Sequence, residues 1–519
     1  MILHIFRKDW LLNWKPVIAV AGIQMAFTAI QIRQTIDGRN SVLQQLSQVL
    51  LVLWLMASCI LVIHLVHQDA LASTKQDWLT RPIARKHVLI EKVLFTVLCV
   101  QGASILGDLL QGLICGFPLG QTIGATSARA IAFFIIVMLP VLALGAVTQS
   151  VTEAVILAVI AAFGVFAFIM VSIGMAGGYD HPFDPTKFTG EEWLTDGLRF
   201  VIFFIGITTV LIWQYRTRRT IVARALMATV LAITLGSQFI PWTPVFAVQE
   251  KLSPEPGSGA KLSVAWRPEG HLSGDSSPKS SPGTTGSTTG SGRYILPISV
   301  RGMPANTVLK ADRSEFTISD QAGKRIFTGV GGNVEVRNED TLGNRAFYDQ
   351  AVEIPPHVLQ DNKSRLVRTN VVYSFTLFKL GAAYSLSAIA DNQRLPGWGL
   401  CKTSINSDET SLEVTCTQIG KGPTCATVFL EHTPSGRRNP VSTACFPNYA
   451  PYLDRPVPDV MFHFRLILPF RDPSGVTKYP VDSTRLADSK IVIRMYVPQD
   501  HFTREVASPI LSIDDFTNE

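Results

Sequence analysis

This chain is short of charge. Asp, Glu, Lys and Arg together make up 17% of the residues, against about 25% in an ordinary soluble domain, and long stretches before residue 247 carry almost none. The motifs of common soluble chemistry are missing as well. There is no Gly-x-x-x-x-Gly-Lys-Ser/Thr phosphate loop, since Gly323-Lys324 and Gly420-Lys421 lack the companion residues, so ATP cannot be held here by backbone N–H groups. There is no His-Glu-x-x-His zinc helix, no Gly-x-Ser-x-Gly elbow and no Cys-x-x-Cys pair, and no metal site or catalytic residue is assigned. His357, His432, His463 and His501 are scattered and read as structural.

What is present is two kinds of apolar patterning. Before about residue 247 the apolar residues form runs that meet the roughly 17 to 25 residues a helix needs to cross a bilayer. Seven spans are expected, near Pro16 to Ile32, Leu46 to Val66, Val93 to Phe117, Ala130 to Val151, Val155 to Met175, Leu198 to Trp213 and Ala225 to Ile240, the last two being short. Each must be helical, because hydrocarbon offers no partner to backbone polar groups. Met1 to Trp14 reads as an interfacial amphipathic helix, with Leu3, Phe6, Trp10 and Trp14 on one face and Arg7, Lys8, Asp9 and Asn13 elsewhere. Early charges argue against a cleaved signal peptide.

Basic residues in the short loops give an orientation. With the amino terminus inside, twelve basic residues flank the inner ends, including Lys75, Arg81, Arg85, Lys86, Lys92, Arg216, Arg218, Arg219 and Arg224, against four outside, Arg33, Arg39, Arg129 and Lys187. That asymmetry, with five acidic residues between Gly177 and Gly197, puts the amino terminus in the cytoplasm and residues 247–519 outside.

From Lys261 onward the period becomes two, as in Phe462, Phe464, Leu466 and in Ile491, Ile493, Met495, which predicts an all-β region of one or two antiparallel sandwiches. Residues 270–292 are Ser, Thr, Gly and Pro and are expected to be a disordered loop, inside the first sandwich if the apolar runs at Leu262 to Trp266 and Tyr294 to Ile298 are both strands. Cys401, Cys416, Cys425 and Cys445 fall within this region. An even number suits disulfides in an oxidising compartment. Neighbour pairing, Cys401 with Cys416 and Cys425 with Cys445, is the expectation among three connectivities, with four reduced core cysteines as the alternative. Cys59, Cys99 and Cys115 fall in the spans.

Within the spans, Asp108 lies mid-way along the third, with Gln101 and Gln111 one or two turns away. A charge in hydrocarbon must face the bundle interior or water, so these three are intramembrane candidates. The alternative is an Asp that only fixes helix packing, and an intramembrane enzyme would need a second acidic or His partner at matching depth, which is not evident.

The loop between spans two and three reads Asp77-Trp78-Leu79-Thr80-Arg81-Pro82-Ile83-Ala84-Arg85-Lys86, then Ile90-Glu91-Lys92. With the amino-terminal helix, this resembles the permease subunits of ABC type-2 exporters, in which a Ser-Arg-Pro-Ile-Ser-Arg-like segment and a later Gly-Lys open the third span. Thr80 and Ala84 depart from the usual Ser, Glu91 from Gly, and the seventh span and large outer region are additions. The resemblance, over residues 1–213, implies a bacterial inner-membrane permease without its own ATPase. It implies a separate cytoplasmic ATPase carrying ATP and Mg, coupled through Trp78, Leu79, Arg81, Pro82 and Arg85, with a smaller contact at Gln149 to Glu153. It also implies a homodimer or a second permease subunit. The outer region would meet substrate or a periplasmic or cell-wall partner; no nucleic acid is implied. The alternative is a membrane-anchored sensor or envelope assembly factor whose outer region is the working part.

Overall fold

The structure is a computed structural model that describes residues 2–37, 41–68, 85–175, 192–237, 242–267, 292–331, 334–337, 345–389, 392–395, 399–405, 411–419, 424–434, 437–438, 442–446, 459–467 and 486–513. The helices are α1 (Ile2–Asp37), α2 (Ser41–His67), α3 (Arg85–Phe95), α4 (Gly102–Ile114), α5 (Leu119–Phe133), α6 (Leu139–Val147), α7 (Val151–Met175), α8 (Glu192–Thr217), α9 (Thr220–Gly236) and α10 (Trp242–Lys251), with α11 (Pro356–Asp361) among the strands. A π-turn at Thr96–Val100 joins α3 to α4, and another at Phe134–Met138 joins α5 to α6, so each pair is one rod.

Six of these helical rods are long and apolar enough to cross a membrane. Apolar α9, with 17 residues, spans about 26 Å at 1.5 Å per residue, slightly under a hydrocarbon core of about 30 Å. The rods pack around Trp54, Phe95, Phe133, Met138 and Leu142, while Val155, Ile156, Val159, Ile160, Phe163 and Phe166 on α7 point away from the protein. Such a ridge suits an apolar solvent or another apolar surface.

Two expectations change here. The amino-terminal segment is no separate element, because α1 runs unbroken through Pro16. Its faces are also turned relative to the bundle. Asp9 and Asn13 are buried beside Ile5 and Phe6, whereas Leu3, Trp10, Leu11 and Trp14 are exposed. The face turned into the protein therefore carries two polar groups, and three of the four large apolar residues expected at an interface, Leu3, Trp10 and Trp14, point away from it. Arg129 is likewise no loop residue, since it lies inside α5 and is 3% exposed. The short run Gly120 to Ala130 is rich in Gly, Ala, Ser and Thr, which dilutes its hydropathy without preventing a buried helix.

The carboxyl-terminal region is β-rich and antiparallel throughout its described pairs. Its strands are β1 (Ser263–Trp266), β2 (Gly292–Arg301), β3 (Thr307–Asp320), β4 (Arg325–Gly331), β5 (Val334–Arg337), β6 (Arg345–Ile354), β7 (Leu366–Ser387) and β8 (Asn392–Leu395). They continue with β9 (Gly399–Ile405), β10 (Ser411–Gln418), β11 (Thr424–His432), β12 (Arg437–Arg438), β13 (Ser442–Phe446), β14 (Asp459–Ile467), β15 (Ser489–Ala507) and β16 (Leu511–Ser512). A large sheet runs β12-β11-β15-β7-β3-β4, with β1-β2-β6 and β14-β10-β9-β8 as two further sheets. Tyr294, Leu296 and Ile298 of β2 share one buried cluster with Leu309, Phe316, Phe375 and Leu377 of the large sheet. Strands β1 and β2 pair directly, as the apolar runs on either side of the Ser/Thr/Gly segment predict; most of 270–292 lies outside the described residues.

The two disulfides join Cys401 to Cys416 and Cys425 to Cys445. Each links residues directly opposite in a ladder, β9 to β10 and β11 to β13. Pairing between chain neighbours thus follows from hairpin-like register.

The β-rich region meets the helices at one end of the bundle. Arg394 of β8 donates through Nη2 to the Ile114 carbonyl at the end of α4, at 3.4 Å. The ring of Phe117 lies against Gly399 of β9, where a side chain would clash.

Candidate functional site

The third and fourth rods carry polar residues at helical spacing, and the fold turns the two stripes toward each other. On α4 and its leading residue the stripe is Gln101, Ser104, Asp108 and Gln111; on α5 it is Thr122, Thr126 and Arg129. All seven are buried. Spacings of three and four place such residues on one helix face. Gly112 lets α5 come close, for a Cβ there would strike Thr122, and Gly107 does the same for Thr28 of α1.

At the centre of the seam Arg129 Nη1 donates to both carboxylate oxygens of Asp108. Each charge alone costs about 2.5 to 3.5 kcal/mol at the middle of a spanning helix on insertion scales. Together they leave no net charge, and two charge-assisted hydrogen bonds replace water. Beside them is a pocket of about one water molecule's size, lined by Gln101, Ser104, Ile105, Asp108, Arg129 and Phe133. The two π-turns bracket it: one ends immediately before Gln101 and the other begins immediately after Phe133. π-turns are rare and concentrate at functional sites.

Of the predicted trio, Gln101 and Asp108 line this pocket, and Gln111 is buried further along α4. The partner of Asp108 is a basic residue from the next rod, which reasoning from sequence missed by counting Arg129 among loop charges. The signal was available in the spacing of Thr122, Thr126 and Arg129, which matches that of Ser104, Asp108 and Gln111.

A second set of contacts lies at the bundle end away from the β-rich region. Lys92 donates to Asp9 of α1 and stands 3.5 Å from Glu91, with all three side chains at most 1% exposed. Asn13 Nδ2 donates to the Asp9 carbonyl at 2.9 Å, and Gln68 Nε2 donates to Asn13 Oδ1 at 3.1 Å. Arg85 donates through Nη1 to the Arg216 carbonyl at 2.7 Å, holding the last turn of α8. Arg224 bonds Glu153 and gives two hydrogen bonds to the Val147 carbonyl, at 3.0 and 2.8 Å, capping α6. The Gln149 N–H donates to Glu153 at 2.6 Å, which closes the turn from α6 to α7. Trp78, Leu79, Arg81 and Pro82 lie outside the described residues; of the coupling set only Arg85 is described.

A third polar cluster joins α10 to the large sheet. Register places Glu335, Lys310, Thr376 and His501 in one row across β5, β3, β7 and β15. Asp312 bulges from β3 into this row, where the register slips between Ala311 and Arg313, and bonds Thr376. The Thr376 hydroxyl is 2.7 Å and Gln249 Nε2 of α10 is 3.0 Å from His501 Nδ1. The His501 N–H donates to Ser253 Oγ at 2.9 Å. Burial pushes the Asp312 carboxyl up, against the pull of Lys310, and pushes His501 down, against Asp312 and Asp500. The Thr376 hydroxyl donates to the Asp312 carboxyl group and Gln249 Nε2 donates to the His501 ring, so the row is joined to α10 by hydrogen bonds.

No protein-family model matches this chain, and no curated protein does. Among solved structures it is similar over 40% of its length, at 9% identity, to a chain titled pT26-6p, with a TM-score of 0.10. It spans 61% of that chain's length, and a likeness so low carries no argument about fold or function.

Proposed function

We propose that this chain is the permease subunit of an ATP-driven ABC-type exporter in a bacterial inner membrane. In this reading it crosses seven times, α9 being the last crossing, with its amino terminus in the cytoplasm and the β-rich region, built as sandwiches, in the periplasm. A separate ATPase bearing ATP and Mg drives it from the cytoplasm, and it works as a homodimer or with a second permease.

One observation supports this reading above the others. The segment that resembles the exporter loop ends at Arg85, and the residues after it are fixed to two other rods: Arg85 to the end of α8, and Lys92 to Asp9 of α1. A displacement of the loop is therefore delivered to three helices at once, which is what coupling to an external motor requires. The buried Asp9–Lys92 contact also unites the two sequence features that carry the resemblance, the amino-terminal helix and the Glu91-Lys92 pair.

The competing reading, a membrane-anchored sensor or assembly factor, draws on the joint between α10 and β15, which would pass a periplasmic event to the helices. Affinity purification in mild detergent separates the two. The exporter reading expects a phosphate-loop ATPase to co-purify with the wild type and to be lost when Arg81 and Arg85 are both changed to Glu, with membrane insertion unaffected. Survival of the association in that variant, or no ATPase with the wild type, overturns it.

A further inference from the structure

At the bundle end away from the β-rich region, arginines from two distant parts of the chain meet at one corner. Arg216, Arg218 and Arg219 lie at the turn from α8 to α9. Arg85, the first residue of α3, donates through Nη1 to the Arg216 carbonyl at 2.7 Å, across 131 residues of sequence. The turn itself is pinned. The Arg218 N–H donates to the Gln214 carbonyl at 2.9 Å and the Thr220 N–H to the Arg218 carbonyl at 3.1 Å, with Arg218 in the left-handed region at φ 56°. Burial, and then the neighbouring Arg85, hold the Arg218 guanidinium below its ordinary value, so these two cations are close enough to repel. Among the described residues, Arg85, Arg216 and Arg219 form no ion pair with a carboxylate, and Glu153 at this end is taken by Arg224.

Apolar side chains stand exposed beside these cations. Trp213 lies three residues before Arg216, on the same face of α8, and is exposed, while Ile221, two residues after Arg219, is 84% exposed. A soluble anion would answer the guanidiniums and leave that apolar rim in water. A lipid answers both.

We infer that the corner between the start of α3 and the α8–α9 turn binds an anionic phospholipid, its phosphate held by Arg85, Arg216, Arg218 and Arg219 and its acyl chains lying along Trp213 and Ile221. The planar guanidinium fork matches phosphate oxygens, and each such hydrogen bond is charge-assisted. Gathering four like charges is unfavourable unless a negative group offsets them, and basic pockets between spanning helices are suited to such headgroups. Phosphatidylcholine brings the same phosphate with a cation attached, which restores the repulsion. A lipid of net negative charge is therefore selected.

This binding requires only that the rods lie in a bilayer and is measured without a motor, so its failure is separate from failure of the exporter reading. The test is thermal unfolding of the delipidated full-length protein in detergent. Phosphatidylglycerol is compared with phosphatidylcholine of the same acyl chains and with soluble glycerophosphate. The expected result is a saturable rise in Tm, on the order of 2 to 4 °C, from phosphatidylglycerol and from neither of the others. Changing Arg216 and Arg219 both to Gln keeps the backbone carbonyl that Arg85 bonds. It removes two basic contacts and should raise the half-saturating lipid concentration on the order of 30-fold. The Arg7→Gln/Lys8→Gln variant, which takes the same charge from exposed positions on α1, should leave that concentration unchanged. Equal weakening in the two double variants would mean that diffuse surface charge attracts the lipid, and overturns the proposal. So does an equal rise with phosphatidylcholine or glycerophosphate, or no rise with phosphatidylglycerol. Should the Arg216/Arg219 variant not fold, Arg219→Gln alone is read against Arg7→Gln, with a weakening of about fivefold expected.

Discussion

The two halves of this molecule bury polar groups in opposite settings. In the helical half the partners come from helix faces at spacings of three and four residues, and the surroundings are lipid and packed side chains, so a buried charge is held by an opposite charge from the same or another rod. In the β-rich half the partners come from cross-strand register, and beyond the sheets there is water. The first arrangement tolerates no loss of a partner, whereas the second can neutralise a group by moving a proton, as the raised Asp312 carboxyl and lowered His501 ring indicate.

The comparison is broken most severely at Arg129. Changing Arg129 to Ala leaves Asp108 without its guanidinium, a loss of about 3 to 5 kcal/mol for half of a buried pair. The yield of folded protein in membranes and the unfolding midpoint in detergent should both fall sharply. The neutral Asp108→Asn/Arg129→Gln pair should lose far less. Equal losses in the two variants would mean that matching of charge is not what holds the seam.

The β-rich half responds to pH instead, and by less. His501 titrates below its ordinary value because burial disfavours its charge, so as pH falls through the ordinary histidine range, near about 6.5, the unfolded chain binds the proton first. Stability present above that range is then lost on acidification. Asp312, titrating above its ordinary value, acts with the opposite sign: its contribution is present at acid pH and is lost as pH rises through its raised value. Between about pH 7 and pH 5, the unfolding midpoint of the β-rich region, followed by near-ultraviolet circular dichroism, should change with a different slope in the His501→Gln variant, the wild type losing more stability on acidification than the variant. An unchanged slope in the variant would remove His501 from the account.

How much of this was legible depended on which solvent each residue answers to. Span lengths are dictated by hydrocarbon thickness, so α2, α7 and the two π-containing rods were readable as long apolar runs, and the stripe through Gln101, Asp108 and Gln111 was readable by its period. Disulfide partners were readable because each pair closes a neighbouring ladder. The inward turn of Asp9 and Asn13 was not, since the same amphipathic pattern serves a helix on a headgroup surface and one whose polar face meets another helix. Arg129 was hidden by the small and hydroxyl residues around it, which resemble a loop. The row of Glu335, Lys310, Thr376 and His501 was invisible, because residues so far apart in the chain meet only through the register of four strands.

The account rests on the helical half being dissolved in the bilayer with the β-rich half on its far side from the cytoplasm. Labelling of spheroplasts with a membrane-impermeant thiol reagent, in a background where Cys59, Cys99 and Cys115 are changed to Ser, tests this directly. Because Cys401, Cys416 and Cys425 are buried, the account predicts no labelling until a reductant is added with urea to open the β-rich region, and then labelling of Cys401, Cys416, Cys425 and Cys445 without lysis. Thiols that react without reductant and only after the membrane is broken would contradict it.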